Sequence, residues 1–239
     1  MLGVPMLEVT GLAVAFGVAP ALRGVSMRVA PGEAVSVLGA NGAGKSTLLR
    51  AIMRRVPAAA TTLRVGGADL RQATTQQVVR HGVALCPEGR QLFPAMTVED
   101  NLLLGAYGAP ARIASQRLQG MLDSVAWLRV RRRELAGGFS GGEQQMVAIC
   151  RALMSAPRLL LLDEPSSGLS PVAIAQVRDM LLAVRAQGVT LLLVEQNVKL
   201  ATELTTRCYL LNRGAIASEG ATADLVEDPG LADAYLGLE

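Results

Sequence analysis

Residues 34–57 limit what this 239-residue chain can fold into more than any other stretch. Ala34-Val35-Ser36-Val37-Leu38 is apolar and β-prone enough to be a buried strand. It runs straight into Gly39-Ala40-Asn41-Gly42-Ala43-Gly44-Lys45-Ser46-Thr47, which fits the phosphate-binding pattern GxxxxGK[ST]. Leu48, Leu49, Ala51, Ile52 and Met53 then carry helical periodicity until Pro57 closes the segment. A strand, a glycine-rich loop and a helix in direct succession predict an α/β core. In such a loop, Gly39, Gly42 and Gly44 let the backbone curl so that successive N–H groups face a polyphosphate. The helix N-terminus adds a partial positive charge toward the same oxygens. Lys45 is then expected to reach the outer phosphates, with the Ser46 hydroxyl placed for Mg²⁺. A glycine-rich turn that merely precedes a lysine is the bland alternative, and the strand and helix flanks weigh against it.

A second motif supplies carboxylates. Leu159-Leu160-Leu161-Leu162-Asp163-Glu164 reads as a buried parallel strand ending in two acids at its C-terminal edge, where open α/β sheets bind ligands. Asp163 is expected to hold Mg²⁺ opposite Ser46, and Glu164 to act as general base on an attacking water. A plain polar turn would look similar in isolation. Half the residues are hydrophobic, yet no apolar run approaches the roughly eighteen residues of a spanning helix. The apolar N-terminus contains Pro5 and Glu8 and no basic leader, so a cytosolic protein with a partner-binding face is expected. A net charge of +3 is too mild to argue for nucleic acid. The basic run Arg129-Val130-Arg131-Arg132-Arg133 reads as a solvated helix end. Cys86, Cys150 and Cys208 lack metal-ligand or CxxC spacing and read as buried free thiols.

The third motif is Phe139-Ser140-Gly141-Gly142-Glu143-Gln144-Gln145, placed before an amphipathic segment bearing Met146, Val147, Ile149, Cys150, Leu153 and Met154. Ser-Gly-Gly at a helix start is a second anion site. One chain has no obvious use for two phosphate sites so far apart in sequence, whereas two chains facing head to tail do. With these motifs the chain resembles the ATP-binding cassette (ABC) transporter ATPases over essentially its whole length. The family signature, usually LSGGQ, stands here as Phe-Ser-Gly-Gly-Glu, and the resemblance implies that Ser140, Gly141, Gly142 and Glu143 serve a partner's ATP.

The same resemblance implies a P-loop NTPase ABC-ATPase fold: a mostly parallel core sheet, an N-terminal antiparallel β subdomain and an inserted helical subdomain. It places a RecA-like core at about 1–87 and 156–239 and the helical subdomain at about 88–155 of one domain, 1–239. ATP and Mg²⁺ are the implied cofactors. Phe16 would stack on adenine; Gly39, Asn41, Gly42, Ala43, Gly44, Lys45, Ser46 and Thr47 would bind phosphates; Ser46, Asp163 and Glu88 would hold the metal. Three family positions are altered. Glu88 stands where a metal-sensing Gln is usual, and Gln196 where a His usually contacts the γ-phosphate. Ser170 replaces an aspartate, and the single histidine, His81, lies far upstream, on an expected exposed helix end.

Pro87-Glu88-Gly89-Arg90, 92–102, Val194-Glu195-Gln196-Asn197 and Ala234-Tyr235-Leu236-Gly237 resemble the branch that powers importers of branched-chain (hydrophobic) amino acids. That branch implies an unlike second ATPase (or a homodimer in isolation), two membrane permeases and, indirectly, an extracytoplasmic binding protein. It implies a peripheral position on the cytoplasmic face of the inner membrane. Urea or short-chain amide import, a slow nucleotide-clamp role, and a non-transport ATPase are the alternatives. Coupling to the permeases is expected to run through 87–101, with Arg90 in it. Elsewhere, Met6–Val14 and Val25–Val29 read as antiparallel strands joined by a Gly/Pro-containing turn, and Val83-Ala84-Leu85-Cys86 as a short strand. Ser170 should cap a helix with Pro171 at its first position and Ile174, Val177, Leu181 and Val184 buried, ended by Gly188. Thr190–Val194 reads as a core strand and 208–219 as a hairpin around Asn212-Arg213-Gly214.

Overall fold

The computed structural model describes residues 3–227, so the Ala234–Gly237 segment lies outside the described residues. The strands sort into two sheets because the chain carries two kinds of strand. In β1 (Leu7–Phe16) and β2 (Ala19–Val29) burial alternates along much of the strand, the pattern of a sheet with one wet face. With β4 (Thr62–Val65) and β5 (Ala68–Asp69) they form an antiparallel sheet in the order β2-β1-β4-β5. In β3 (Ala34–Leu38), β7 (Leu159–Asp163) and β8 (Thr190–Glu195) every residue is buried. These join β6 (Val83–Cys86), β9 (Arg207–Asn212) and β10 (Ala215–Ala221) in the order β10-β9-β3-β8-β7-β6, parallel except at the β10 edge.

Both faces of the parallel sheet are covered, as its unbroken apolar strands require. Val35, Val37, Leu159, Leu161, Leu192 and Val194 pack toward the antiparallel sheet and helix α1 (Lys45–Ile52). The alternate residues Ala34, Leu160, Leu162, Leu191 and Leu193 pack on the other side. Their partners come from α6 (Gly141–Leu153), α7 (Pro171–Ala186) and α8 (Val198–Leu204). Between β4 and β6, α2 (Thr75–Arg80) starts at a capping box made by Thr74 and Gln77, and His81 sits exposed at its end. Beyond β10, α9 (Thr222–Glu227) sets Leu225 beside Leu38 and Leu210.

The chain between β6 and β7 builds its own core. Helices α3 (Val98–Gly105), α4 (Ala111–Ser124) and α5 (Ala126–Arg131) bury Leu102, Leu118, Leu122 and Leu128 against Phe139, Val147 and Cys150. Helix α6 serves both cores, since its Met146 and Ile149 face the sheet cluster. It crosses α3 so closely that a Cβ at Gly105 would lie 1.8 Å from the Arg151 carbonyl oxygen. Among the described residues, no helix is long and apolar enough to cross a membrane.

The first hairpin departs from its sequence reading. The strands run on to a turn at 17–18, and Leu22, inside the expected connection, is buried. Register shifts along β1 let the pairing pass Gly11 and Gly24, both at positive φ, without ending. Pro20 is tolerated because β2 is an edge strand. Helix α7 matches more closely. Ser170 accepts from the Ala173 N–H at 3.3 Å, and Ala173, Val177, Leu181 and Val184 are buried while Ile174 is half-buried.

Candidate active site

Parallel alignment brings the C-terminal ends of β3, β6, β7 and β8 to one edge. Leu38 pairs with Glu195, Asp163 with Val194, and Cys86 with Leu162, so the loops that follow converge. The phosphate-binding loop after β3 is fixed from outside by backbone bonds. Gly214 N–H donates to the Ala43 carbonyl at 2.8 Å, and Arg23 N–H donates to the Gly214 carbonyl at 2.7 Å. Gly214 belongs to the β9–β10 turn, where Arg213 and Gly214 both take positive φ, as a two-residue hairpin requires. At two of the loop's glycines the neighbouring backbone leaves no room for a side chain. At Gly44, with φ of 108°, a Cβ would lie 2.8 Å from the Ala21 carbonyl oxygen; at Gly39 it would lie 2.3 Å from that of Leu211.

The loop borders a cavity of about 470 Å³. Its wall includes Asn41, Gly42, Gly44, Lys45, Ser46 and Thr47 of the loop together with Glu88 and Glu164. Lys45 is almost fully buried; its Nζ donates to the Gly39 and Ala40 carbonyls at 2.7 and 3.2 Å and pairs with Glu164 Oε1 at 3.0 Å. The Ser46 hydroxyl donates to Asp163 Oδ1 at 2.8 Å. Burial pushes the Asp163 carboxyl up; the Ser46 hydroxyl opposes that, while the charges of Glu88 and Glu164 add to it. Glu164 holds a left-handed φ of 46°, rare for a residue with a Cβ, and its N–H donates to the Val194 carbonyl at 2.9 Å. The Asp163 carboxylate and Ser46 hydroxyl are hard oxygen donors of the kind Mg²⁺ takes, although no group of three or more acidic, His or Cys residues placed to hold a metal occurs among the described residues.

Two expected residues stand apart. Gln196 is exposed and absent from the cavity wall, although its N–H donates to Glu195 Oε2 at 3.0 Å. Phe16, about half exposed, ends β1 outside the wall, which the same hairpin supplies through Pro20, Ala21 and Arg23. Three residues had escaped the sequence reading. Arg23, on strand β2, and Arg213, in the β9–β10 turn, reach the wall from segments distant from every motif. Glu195, 2 % exposed, accepts from the N–H groups of Ser166, Gln196 and Asn197, each at 3.0 Å, and so ties the turn after Glu164 to the one bearing Gln196. Burial raises its pKa against the pull of those donors. Its sequence signal was an acid closing an apolar strand, the same signal that marked Asp163.

The signature begins α6. Ser140 is its exposed N-cap; the hydroxyl accepts from Glu143 N–H at 3.3 Å, and Glu143 Oε2 accepts from Ser140 N–H at 2.8 Å. No signature residue lines the cavity. The basic run is engaged with acids of its own chain: Arg129 with Asp123, Arg131 with Glu134 and Glu143, and Arg132 with Glu99. All three cysteines are buried and free, and burial pushes the Cys86 and Cys150 thiols up to about 12.

The model of the ABC transporter family matches residues 22–167, which take in the phosphate loop, the signature and Glu164. This chain belongs to the ABC transporter family. It is an ATP-binding cassette and an ATPase of that family. It is 42% identical to the high-affinity branched-chain amino acid transport ATP-binding protein BraG of Pseudomonas aeruginosa, over 97% of this chain and all of the relative. BraF, a transport ATP-binding protein of the same description and organism, is 31% identical, with 98% of each chain covered. A nucleotide-free ATP-binding cassette of an ABC transporter superposes with a TM-score of 0.86 over 98% of this chain and 99% of its own, at 24% identity. At that identity, the last comparison speaks for the fold.

Proposed function

We propose that this ABC ATPase powers import of branched-chain or similar hydrophobic amino acids, with ATP and Mg²⁺ held by Lys45, Ser46, Asp163 and Glu88 and water activated by Glu164. The observation that carries the chemistry is the meeting of these side chains at one sheet edge, with Lys45 and Glu164 already paired at 3.0 Å. A γ-phosphate needs the Lys45 ammonium, so bound ATP exchanges phosphate oxygens for Glu164 Oε1. The released carboxylate accepts a proton from the attacking water. The water oxygen bonds to γ-phosphorus as the β–γ bridging bond breaks, yielding ADP and phosphate. Ser46 and Asp163 would hold Mg²⁺, which would supply neutralisation of the phosphate charge.

The likeness to BraG over its full length supports the solute class, and the likeness to both BraG and BraF supports pairing with an unlike ATPase. In that assembly Ser140, Gly141 and Gly142 close over the partner's ATP, the helices of 88–155 lie against two permeases, and an extracytoplasmic protein delivers solute. The chain then works peripherally at the cytoplasmic face of the membrane. Coupling through the loop after β6 is supported by its attachment to α6. Arg90 donates to Gln144 Oε1 at 3.3 Å, and Arg151 donates to the Arg90 and Gln91 carbonyls at 3.0 and 2.8 Å. Charge reversal at Arg90 is expected to spare ATP turnover and abolish uptake; full uptake would remove this route.

The deciding experiment is solute uptake and ATP turnover by the reconstituted transporter with leucine, urea and a short-chain amide. Stimulation by leucine alone supports the proposal, and stimulation by urea or amide alone moves the solute class to that alternative. One observation favours a second reading, a slow nucleotide clamp: Gln196 is exposed outside the cavity and cannot carry the charge of a protonated histidine.

A further inference from the structure

The signature departs from LSGGQ at its first and last residues, Phe139 and Glu143, and both departures meet one side chain. The Arg131 guanidinium lies over the Phe139 ring, 4.0 Å from its centroid, while Trp127 packs edge-on against the same ring at 5.8 Å. Arg131 Nη1 donates to Glu143 Oε1. Its Nε and Nη2 hold Glu134 Oε2 at 3.0 and 2.9 Å, so both edges of the fork are occupied. Glu134 is the more exposed acid, about half accessible and screened by water. Glu143 is tied into the cap, with Oε2 on the Ser140 N–H. Burial works against its ionisation, but the Ser140 N–H, the Ser140 hydroxyl and the Arg131 charge outweigh it, and its pKa is lowered.

An ionised carboxylate in the first turn of α6 is suitable for a cap and unsuitable for a polyphosphate receptor. The helix terminus offers about half a positive charge, less than the full negative charge of Glu143. A glutamine there would make the same cap without that charge. A phosphate brought to Ser140 and Gly141 would therefore meet repulsion unless a cation sat against Glu143. We propose that Arg131 is a positioning residue for the partner's ATP: its guanidinium neutralises Glu143 and, stacked on Phe139, holds the acidic signature in a phosphate-accepting state. The proposal rests on the reading that this signature serves an ATP held by another subunit. It also accounts for Phe139, since an aliphatic residue there could not hold the guanidinium face-on.

The test is a double-mutant cycle in the reconstituted complex with the partner ATPase and permeases, reading ATP turnover and, on the isolated chain, ATP affinity and melting temperature. Arg131→Gln is expected to lower turnover roughly tenfold, within the coupling range of contacting charges. ATP affinity at this chain's own loop should not change. In a Glu143→Gln background the same substitution should cost less than about threefold, because no charge remains to neutralise. Arg131→Lys keeps the charge without the flat stack and should recover at least half of the lost turnover. An equal loss in both backgrounds, or a lysine variant as poor as the glutamine one, would make Arg131 a structural residue and overturn the proposal. Unchanged turnover in Arg131→Gln would overturn it too. Failure of the underlying reading shows separately, as full turnover of the complex when Ser140→Ala is introduced here.

Discussion

The two phosphate-facing regions of this molecule are built in opposite ways. The cavity beside Lys45 faces inward on the chain: its lysine and aspartate are buried, Gly39 and Gly44 are wedged against neighbouring carbonyls, and its polar groups already pair with one another. The signature at Ser140 faces outward, capped by its own Glu143 and steadied by Arg131, with nothing of the first region in contact. A site of the first kind must exchange internal partners for ligand. In the proposed pairing, a site of the second kind is preformed and takes a ligand that another molecule brings. The contrast is what the proposed pairing of two ATPases would require, with each chain lending one half to each of two different sites.

The largest expected effect separates the halves directly. Glu164→Gln should retain ATP binding, with affinity equal or higher because Lys45 loses its competing partner, and lose about 10²- to 10⁴-fold in turnover. Near-normal turnover in a stopped assay with purified variant would refute the general base. Ser140→Ala should spare ATP affinity in the same chain and cut turnover at the partner's site by roughly 10- to 100-fold, the worth of a hydrogen bond to a charged group. It should also cost about 1 kcal/mol of stability through the lost cap, measured by denaturant unfolding. A fall in this chain's own ATP affinity would break the division. Gln196→His sharpens the comparison by asking whether the inward half is complete: turnover within about threefold of the parent means Glu164 and the phosphate loop suffice, and a tenfold or greater rise supports the clamp.

The smallest effect concerns the seam between the regions, where Cys86 ends β6 and Cys150 lies on α6. Both thiols should resist alkylation in the native chain at pH 8 and react at once in denaturant. Their folded pKa of about 12 lies above the unfolded value of about 9, so the stability they contribute is whole below pH 9. It is lost as pH rises toward 12, by up to about 1.4 kcal/mol per pH unit for each thiol. Rapid native labelling would mean that α6 opens away from the sheet.

The inward half was readable because its residues are contiguous. Lys45 and Ser46 sit in one loop and Asp163 and Glu164 at one strand end, so spacing alone placed them as candidates for one site, and the fold brings them together. Caps were readable for the same local reason: Ser170, offered as a departure from the family's aspartate, does the capping an aspartate would also do. The first hairpin misled because glycine and proline, which usually mark a turn, were absorbed by bulges and by an edge strand. Neither of those is a local property.

By itself, then, the sequence determined the element types, the family, the phosphate loop and the acids that face it, since these depend on neighbours a few residues away. Only the tertiary structure decided that Glu164 rests on Lys45, that Glu195 ties the turn after Glu164 to the one bearing Gln196, and that Arg213 and Arg23 reach the cavity wall. It decided also that Arg131 answers both oddities of the signature. Each of these contacts depends on where parallel strands end and how closely helices cross. Packing of distant segments sets those distances, and no spacing along the chain encodes them.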